Sequence, residues 1–593
     1  MRDSMKISGG EILAQCLANE EVQYIFGIIG DQWNSFFDVL ARKGEQLGIE
    51  FVTTRHEAAA AHMADAYART TRKPGICLGT VGPGAANLVG GVYTAHADSV
   101  PLIVLTAQNQ RWRIYPDTGM TQGLDQIQLF KPLVKWNAVV WTIDRIPELV
   151  RQAFRVALAG RPGPVQLDFP SDILYGTVDS PPLMIPPQKY RVTNQPTSYP
   201  TLIGQAAQLL LEAEFPLIHA GTGVLWANAS EELVALAEHL SAGVTMSPAA
   251  RGAIPEDHPL AIEPGLQCGA YAQNCADLVL LVGGRLGDLD FWGKPPGWKP
   301  PEKQKLIQID IESEMIGVNR EVDLALVGDA KNTLQFLLSE VKRRSEPKIP
   351  SAILEQCQTS RNAFYQSQLK IASEDTEPIH PLRLVKEVRD FFNRTAISCI
   401  DGGNINLWTL HLNRIYEPRT HLCASDSGHL GAGLPYAIGA KITHPDRQVY
   451  LISGDGSFMF NIQELETAVR HNAPMIAIIA NDRRFGMIAG VQHLLFENRY
   501  YQVDFTDVRY DKVAQAMGCH GERVTKAKEI RPALKRAVKS KLPAVIDVII
   551  DRDANLNPPE LALVGSVWLE GCSPPPVEEE KKEKKTVTEV VAS

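Results

Sequence analysis

The chain has 593 residues, 45% of them hydrophobic and 21% charged, and its formal net charge is -9. An acidic balance without a basic tract argues against nucleic-acid binding and against attachment to a membrane surface. The nine cysteines are odd in number and lack C-x-x-C spacing, which argues against a zinc site and a disulfide framework. The length exceeds what one hydrophobic core can serve, so three or four domains are expected.

The N-terminal segment, MRDSMKISGGEILAQ, lacks the apolar core of a signal peptide. The chain also holds no apolar run long enough for a transmembrane helix. We therefore expect a cytoplasmic protein without a membrane-bound segment.

The first block, residues 1–180, alternates helical patterns with short apolar strands. Predicted strands lie at residues 24–27, 75–79 and 102–106. Strands that alternate with helices are typical of a parallel α/β sheet. Residues 181–200 are rich in proline and polar residues without periodicity, which predicts a linker.

Two further α/β blocks are predicted. The central block covers residues 201–341, with strands near 216–220, 278–282 and 306–309. A charged stretch and a helical segment, residues 342–377, form a second linker before the third block, residues 378–565. The tail, residues 566–593, has adjacent like charges, several prolines and no core-forming pattern, so we expect it to be disordered.

The first block contains a carboxylate followed by a glycine-rich loop. Glu57 precedes an alanine-rich helix, and by itself it fits a solvated carboxylate at a helix start. The loop at residues 79–87, GTVGPGAAN, has glycines in the order GxxGxG and no acidic residue at a fitting distance. It is therefore not a dinucleotide-binding fingerprint, and neither feature alone indicates a function.

The third block ends two predicted strands in polar turns. An apolar strand at residues 449–452 leads to Gly454-Asp455-Gly456-Ser457 and then to a helix, for which Asn461 and Glu464 form a predicted capping box. A second apolar run, residues 475–480, leads to Asn481-Asp482. Parallel strands would bring both turns to the same edge of a sheet.

These turns predict an anion site with a bound cation. The glycines let the backbone approach an anion, and the following helix start would attract it. Asp455 would repel that anion unless a hard cation lay between them, and Asp482 or Asn481 supplies another oxygen ligand. Mg²⁺ prefers carboxylate, carbonyl and phosphate oxygens. A strand, turn and helix with incidental polar residues is the alternative.

Together, these motifs resemble one enzyme group. Similar motifs occur in order at residues 55–60 (RHEAAA), 79–87 (GTVGPGAAN), 121–126 (TQGLDQ), 135–137 (KWN), 427–440 (SGHLGAGLPYAIGA), 454–457 (GDGS) and 480–482 (AND). They resemble the acetolactate synthase and benzaldehyde lyase group of thiamine-diphosphate (ThDP) enzymes. RHEAAA, TQGLDQ, residues 167–174 and residues 557–565 look more like the lyase and the catabolic synthases than the flavin-containing ones.

The resemblance implies a fold, an assembly and cofactors. The expected domains are pyrimidine-binding, central and diphosphate-binding. The cofactor would lie between the first domain of one subunit and the third domain of its partner. A homodimer is then the minimum active unit, and a homotetramer is expected. ThDP and Mg²⁺ are the implied cofactors.

The resemblance also implies residue roles. Glu57 would bind a ring nitrogen of the ThDP aminopyrimidine and promote loss of the thiazolium C2 proton, and Gln122 would line the reacting side. Asp455, Asp482 and the backbone carbonyl of Arg484 would hold magnesium. Leu430 would separate the two cofactor rings, with an ordinary core residue as the alternative. The implied cofactor-binding residues are Glu57, Gly82, Asn404, Gly428, His429, Leu430, Gly454, Asp455, Gly456, Ser457, Asp482, Gly486 and Met487.

Several positions depart from the group's pattern or allow a second interpretation. Asp482 stands where the commoner form has asparagine, which predicts retained activity with an unusual metal preference or an unusual pH dependence. Gln32 stands where benzaldehyde lyase has a histidine, and His56 and His96 fit structural roles better than catalytic ones. Asn404 and Asn406 are candidate pocket amides or parts of an ordinary turn.

The sequence of the central block indicates whether FAD is expected to bind. Its stretch at residues 283–294 lacks the second arginine of the flavin-type sequence, so bound FAD is possible but is not the favoured expectation.

The favoured function is decarboxylation of a 2-oxo acid such as pyruvate, followed by joining of the remaining carbons to a second carbonyl. Lysis of a 2-hydroxy ketone is the alternative. A non-catalytic regulatory relative is the third possibility, although Glu57, Leu430, Asp455 and Asp482 are all of a usable type. Fold alone does not separate these functions.

Overall fold

The computed structural model describes residues 6–569 apart from positions 181, 193 and 263–266. In this part of the chain the strands form three parallel sheets and one small antiparallel pair. The predicted tail beyond residue 569 lies outside the described residues.

The first sheet has six parallel strands in the order β3-β2-β4-β5-β7-β6, and β1 pairs antiparallel with β8. Gly75–Gly79 and Leu102–Gln108 are buried along their whole lengths, as expected for parallel strands covered on both faces. The strands are β1 Ile7–Ser8, β2 Tyr24–Gly27, β3 Glu50–Thr53, β4 Gly75–Gly79, β5 Leu102–Gln108, β6 Trp136–Val139, β7 Val165–Pro170 and β8 Thr177–Val178. The helices are α1 Gly9–Asn19, α2 Asn34–Leu47, α3 Glu57–Thr71, α4 Pro83–Ala97, α5 Gln126–Phe130, α6 Ile146–Leu158 and α7 Ser171–Tyr175.

The central sheet has five parallel strands in the order β10-β9-β11-β12-β13. Its strands are β9 Pro216–Ala220, β10 Gly243–Met246, β11 Leu278–Val282, β12 Lys305–Asp310 and β13 Leu324–Val327. Its helices are α8 Pro200–Glu212, α9 Thr222–Ala227, α10 Ser230–Leu240, α11 Gln267–Cys275 and α12 Ala330–Arg344. The apolar runs predicted as strands in this block are confirmed as strands.

The third sheet has six parallel strands in the order β15-β14-β16-β17-β19-β18. Its strands are β14 Ile397–Asp401, β15 His421–Leu422, β16 Val449–Gly454, β17 Ile476–Asn481, β18 His520–Val524 and β19 Ala544–Ile549. The helices are α13 Ala352–Ser373, α14 Pro381–Phe391, α15 Asn404–Leu412, α16 Gly433–Thr443, α17 Asp455–Phe458, α18 Glu464–Arg470, α19 Gly486–Leu495, α20 Tyr510–Ala516, α21 Ile530–Ser540 and α22 Leu561–Trp568.

The chain divides into two compact units that do not follow sequence order. The first contains residues 1–194, 424–446 and 461–475, and the second contains the rest. Helix α16 therefore belongs with the first sheet, where the Tyr436 hydroxyl donates to Asp65 Oδ2 at 3.0 Å. The second unit contains both the central and the third sheet.

Several local predictions differ from the structure. The predicted capping box is wrong: α18 begins at Glu464, whose carboxylate accepts from the Arg55 backbone N–H at 3.0 Å. Asn461 Nδ2 donates instead to the Gly431 carbonyl at 2.8 Å. Both side chains have partners outside their own helix, so tertiary contacts replaced the local cap.

The second predicted linker is mostly helical, and so are the first residues of the predicted tail. Residues 342–377 are mostly helical, through the end of α12 and through α13, and Leu354 and Cys357 are buried in the core of the central sheet. Helix α22 continues to Trp568, past the predicted end of the third block at residue 565. The exact domain boundaries stay a prediction.

Among the residues described, no helix combines the length and hydropathy needed to cross a membrane.

Candidate active site

In the second compact unit, three strand ends meet at one edge of the third sheet. Strands β14, β16 and β17 run parallel, and each leads directly into a turn and then a helix. Gly402 has a φ of +113°, and a Cβ there would lie 3.1 Å from the Gly454 nitrogen and 3.2 Å from Ser457 Oγ. A side chain would therefore separate the turns, which explains why glycine stands at the junction.

The helix predicted after the Gly454 turn is α18, which begins at Glu464, and a short helix that the sequence did not indicate comes before it. Helix α17 is four residues long and continues as a 3-10 turn, Met459–Asn461. One turn has little cumulative dipole, so α17 by itself attracts an anion only weakly, and the anion-binding role of the following helix start stays a prediction. The longer helices α15 and α19 begin at the same edge, and neither has a side-chain cap on its first N–H groups. These two helices supply the uncapped N–H groups of the site.

Two buried carboxyl groups face each other at this edge. Asp455 is 2% exposed and Asp482 is 4% exposed. Burial, followed by the charge of Asp482, raises the pKa of Asp455 well above its ordinary value, and burial raises the pKa of Asp482. The Oδ1 atom of Asp455 has no hydrogen-bond partner although it is buried. A cation between the two groups would satisfy that oxygen and offset the repulsion, so this pair fits a bound Mg²⁺.

The other metal ligands would not be acidic side chains or histidines. Within the described ranges, no group of three or more His, Cys, Asp or Glu residues could hold a metal ion. Backbone carbonyls, water and cofactor phosphates complete the coordination of Mg²⁺ in such sites. The Arg484 side chain bonds Asp504 Oδ1 at 2.6 Å, and the assignment of its carbonyl as a ligand stays a prediction.

The structure separates the two candidate ligands at the end of β17. Asn481 Nδ2 donates to Asp547 Oδ1 at 2.8 Å on the neighbouring strand β19. Successive side chains of a strand point to opposite faces, so Asn481 and Asp482 diverge. Asp482 is the residue that faces Asp455.

Asn555 is a residue of this site that sequence reasoning missed. Its Nδ2 donates to Asp482 Oδ2 at 2.7 Å, and its carbonyl accepts from Asn404 Nδ2 at 2.6 Å. A Cβ at Gly486 would lie 3.0 Å from the Nδ2 atom of Asn555. Asn555 follows the last strand, β19, and only the strand order places it here.

Asn404 and Met487 lie beside this contact. The Oδ1 atom of Asn404 is buried without a hydrogen-bond partner, and a Cβ at Gly403 would lie 2.6 Å from the Met487 Cβ. The backbone of α15 therefore approaches the start of α19 very closely. Asn404 is thus more than part of an ordinary turn, because its amide links two loops of the site.

The absence of a side chain at Gly456 allows the Phe485 ring to pack close to the backbone there. A Cβ there would lie 2.9 Å from Phe485 Cε1. The Phe485 ring packs edge-on against Phe505, with 4.6 Å between ring centroids. The turn after β16 is therefore closed by aromatic rings on one side.

In the first compact unit, Glu57 is the first residue of α3. It is 6% exposed, and its Oε2 accepts from Asn87 Nδ2 at 2.9 Å. The alternative of a solvated carboxylate therefore does not hold. His56 caps the helix, because its Nδ1 accepts from the Ala58 N–H at 3.1 Å, which is the structural role expected for it.

The glycine-rich loop and Gln122 lie against each other in the same unit. Gly82 has a φ of +66°, and a Cβ there would lie 2.5 Å from the Gln122 carbonyl oxygen. Gln122 itself has a φ of +64° and an exposed side chain. Thr80 donates to Gln32 Oε1 at 2.9 Å. These contacts bring together residues 30–32, 80–84 and 122 in one cluster. The cluster lies beside Glu57, since a Cβ at Gly84 would lie 3.2 Å from Glu57 Oε1.

A buried acid network behind this cluster was not foreseen from the sequence. Asp168 accepts from Gln126 Nε2 at 2.5 Å, from Thr106 Oγ1 at 2.7 Å and from the Tyr115 hydroxyl at 2.9 Å. Gln126 Oε1 in turn accepts from the Gly82 N–H at 2.9 Å. Asp168 therefore supports the glycine loop through Gln126. Burial raises the pKa of Asp168 to about 7, although its hydrogen bonds partly offset that rise.

We expect Asp168→Asn to flatten the dependence of stability on pH. A carboxyl group whose pKa is raised on folding binds protons more tightly in the folded state. Its stabilising proton is therefore lost as pH rises from about 4 to about 7. Relative to the variant, the parent chain should lose at most about 4 kcal/mol of unfolding free energy over that range. Denaturant unfolding at several pH values measures the difference.

The control for this prediction is Asp144→Asn, a substitution of an exposed aspartate in the 3-10 turn Ile143–Arg145. It should leave the pH profile of the parent unchanged. Equal profiles for Asp168→Asn and the parent would contradict the prediction.

The loop before α16 holds the remaining predicted cofactor residues, also in the first unit. Gly428 has a φ of +60°, and a Cβ there would meet no atom within 4 Å, while Leu430 is half-buried rather than a core residue. His429 Nδ1 lies 2.9 Å from the Leu430 carbonyl, and its ring packs edge-on against His62 at 5.0 Å. The loop is thus fixed by His429, and its assignment to a cofactor stays a prediction.

Comparison with known proteins finds similarity over most of the chain. Three family models match: the N-terminal TPP binding domain of thiamine pyrophosphate enzymes at residues 7–129, their central domain at 203–337 and their C-terminal TPP binding domain at 401–548. A probable acetolactate synthase large subunit of Methanococcus aeolicus is 35% identical, over 93% of both chains. An acetolactate synthase of Arthrospira platensis is 33% identical, over 93% of this chain and 96% of the relative. A large subunit from Haemophilus influenzae is 32% identical, over 94% and 96%.

Proposed function

Because the chain belongs to the thiamine pyrophosphate enzymes, in the group of the acetolactate synthase large subunits, we propose that it is a ThDP-dependent carboligase. It decarboxylates a 2-oxo acid of the pyruvate type and joins the remaining carbons to a second carbonyl compound. The similarity along more than nine-tenths of both chains carries this proposal. The burial of Glu57 supports it, since a carboxylate shielded from water can form a strong hydrogen bond to a ring nitrogen of the cofactor.

We further propose that the residues of the third sheet hold Mg²⁺ and the cofactor diphosphate. Asp455, Asp482 and the Arg484 carbonyl would hold the metal, and the turns around Gly454, Ser457 and Gly486 would hold the phosphates. When bound, ThDP supplies a carbon nucleophile and an electron sink. The buried acid pair, which has an oxygen without a partner, supports this assignment.

The chain's own side chains would orient the cofactor and the substrate and would exchange protons with the cofactor. Glu57 accepts or donates one proton at its carboxylate toward a ring nitrogen of the cofactor, while Asn87 holds the other side of that carboxylate. Gln122 presents its exposed amide to a substrate carbonyl or carboxylate oxygen. The network from Asp168 through Gln126 to Gly82 keeps the backbone next to Gln122 in place.

Assembly and compartment belong to the same proposal. We propose a homodimer as the minimum active unit, with a homotetramer expected, and a cytoplasmic location. We also propose that no FAD is held in the central domain, because residues 283–294 lack the second arginine of the flavin-type sequence. Light scattering of the purified chain tests the assembly, and its visible absorption spectrum tests for flavin.

The function is tested by a product assay over a panel of 2-oxo acids and 2-hydroxy ketones, with ThDP and Mg²⁺ added. We expect carbon dioxide release from pyruvate together with a carboligated 2-hydroxy-2-methyl-3-oxo acid product, identified by mass analysis. Aldehyde release from a 2-hydroxy ketone without carbon dioxide would favour the lyase instead. ThDP binding without turnover on any member of the panel would favour a regulatory relative.

A further inference from the structure

We propose that Trp408 and Asn555 orient the Asp482 carboxylate, and that this contact requires an acid rather than an amide at position 482. Trp408 and Asn555 are positioning residues, since they act through Asp482. The inference rests on the proposed magnesium site and adds to it the reason why an aspartate stands there.

The contact begins at a group that can only donate. Trp408 Nε1–H donates to Asn555 Oδ1 at 3.0 Å, and both residues are buried. An indole N–H cannot accept a hydrogen bond, so it determines which end of the Asn555 amide is the oxygen. The amide NH₂ group must then point the other way, and it donates to Asp482 Oδ2 at 2.7 Å.

Asn555 is also held by its backbone. Its N–H donates to the Asp551 carbonyl at 3.1 Å, and its carbonyl accepts from Asn404 Nδ2 at 2.6 Å. Gly486 leaves little space on the other side, because a Cβ there would lie 3.0 Å from the Asn555 Nδ2. The side chain therefore cannot leave this contact, and only the Trp408 hydrogen bond keeps its amide from turning over in place.

These contacts discriminate between acid and amide at position 482. A carboxylate only accepts, so it takes the Asn555 hydrogen bond on one oxygen and keeps the other oxygen for a cation. An amide has one oxygen. If that oxygen binds the cation, its NH₂ group faces the NH₂ group of Asn555, and two donors meet without an acceptor. If the amide turns over, the cation loses its oxygen ligand.

Two substitutions should therefore rescue Asp482→Asn by different routes. Asn555→Asp restores a donor facing an acceptor and keeps the total charge, because the new carboxylate accepts from both Trp408 and the amide at position 482. Trp408→Phe adds no charge. It removes the donor that fixes the Asn555 amide, so that amide can turn its oxygen toward position 482.

The experiment measures how Mg²⁺ concentration controls ThDP binding by the intact chain, using equilibrium dialysis and the unfolding midpoint rather than activity. Asp482→Asn alone should weaken the apparent Mg²⁺ affinity by about 10- to 100-fold. Adding Asn555→Asp should bring it back to within about threefold of the parent, and adding Trp408→Phe should recover part of the loss. In the parent background, Trp408→Phe should weaken the affinity.

The opposite effects of Trp408→Phe in the two backgrounds distinguish orientation from packing. If Trp408 only fills space, Trp408→Phe weakens binding in both backgrounds, and that result overturns the inference. So does a failure of Asn555→Asp to improve Asp482→Asn. As a control for added charge, Asn332→Asp on α12 should give no rescue. A parent chain whose ThDP binding does not depend on Mg²⁺ overturns the proposed metal site itself.

Discussion

Glu57→Gln should lower the turnover number by about 10²- to 10⁴-fold, the range typical of a lost proton-transfer group. The amide has the same shape as the carboxylate, so the start of α3 and the packing around it should persist. The amide cannot hold the proton shared with a cofactor nitrogen, and it meets the Asn87 donor with either an oxygen or a second donor. Steady-state kinetics with the 2-oxo acid that the panel identifies measures the loss.

Glu45→Gln is the matched control, because Glu45 is an exposed carboxylate on α2 in the same compact unit. It should leave turnover unchanged. ThDP binding by Glu57→Gln is measured in parallel, so that loss of catalysis is separated from loss of cofactor. Full turnover in the variant would show that Glu57 has no catalytic role. A biological effect that survives in Glu57→Gln, when the parent shows no turnover, would instead favour a regulatory relative.

Asp455→Asn should weaken the apparent Mg²⁺ affinity by on the order of 100-fold and should raise the unfolding midpoint of the metal-free chain. Both effects have one cause. Asp455 and Asp482 are buried together, and burial and repulsion by the charge of Asp482 disfavour the ionised form of Asp455. Removing one charge relieves that repulsion when metal is absent, but it also removes a ligand oxygen. Calorimetric unfolding with and without Mg²⁺ and ThDP measures both effects.

The control for Asp455→Asn is Asp390→Asn, on the exposed face of α14. Asp390 pairs with Lys386 at 2.8 Å and Arg531 at 3.3 Å, and exposed pairs of this kind contribute little stability. This variant should keep the parent's response to Mg²⁺. If Asp455→Asn lowers the metal-free unfolding midpoint and still responds to Mg²⁺ like the parent, the carboxyl pair is not a metal site.

The sequence by itself determined the strands and the chemically distinctive turns. Buried parallel strands are continuous apolar runs, so β4, β9, β11 and β16 could be located from local pattern alone. The glycines and acids at their ends were equally visible, because such turns need residues without a Cβ and cation sites need oxygen ligands. Those local requirements led to Asp455 and Asp482, whereas Glu57 was singled out only by the resemblance to ThDP enzymes.

Only the tertiary structure decided which side chains meet. Asn555 follows the last strand, and Asp168 looks like any acid at a strand end, so neither has a local signal that marks it. Asn481 and Asp482 are neighbours in sequence, and only the strand's two faces separate them. The capping prediction at Asn461 failed for the same reason. Local hydrogen bonds compete with long-range ones, and a buried polar side chain adopts the partner that the packed fold supplies.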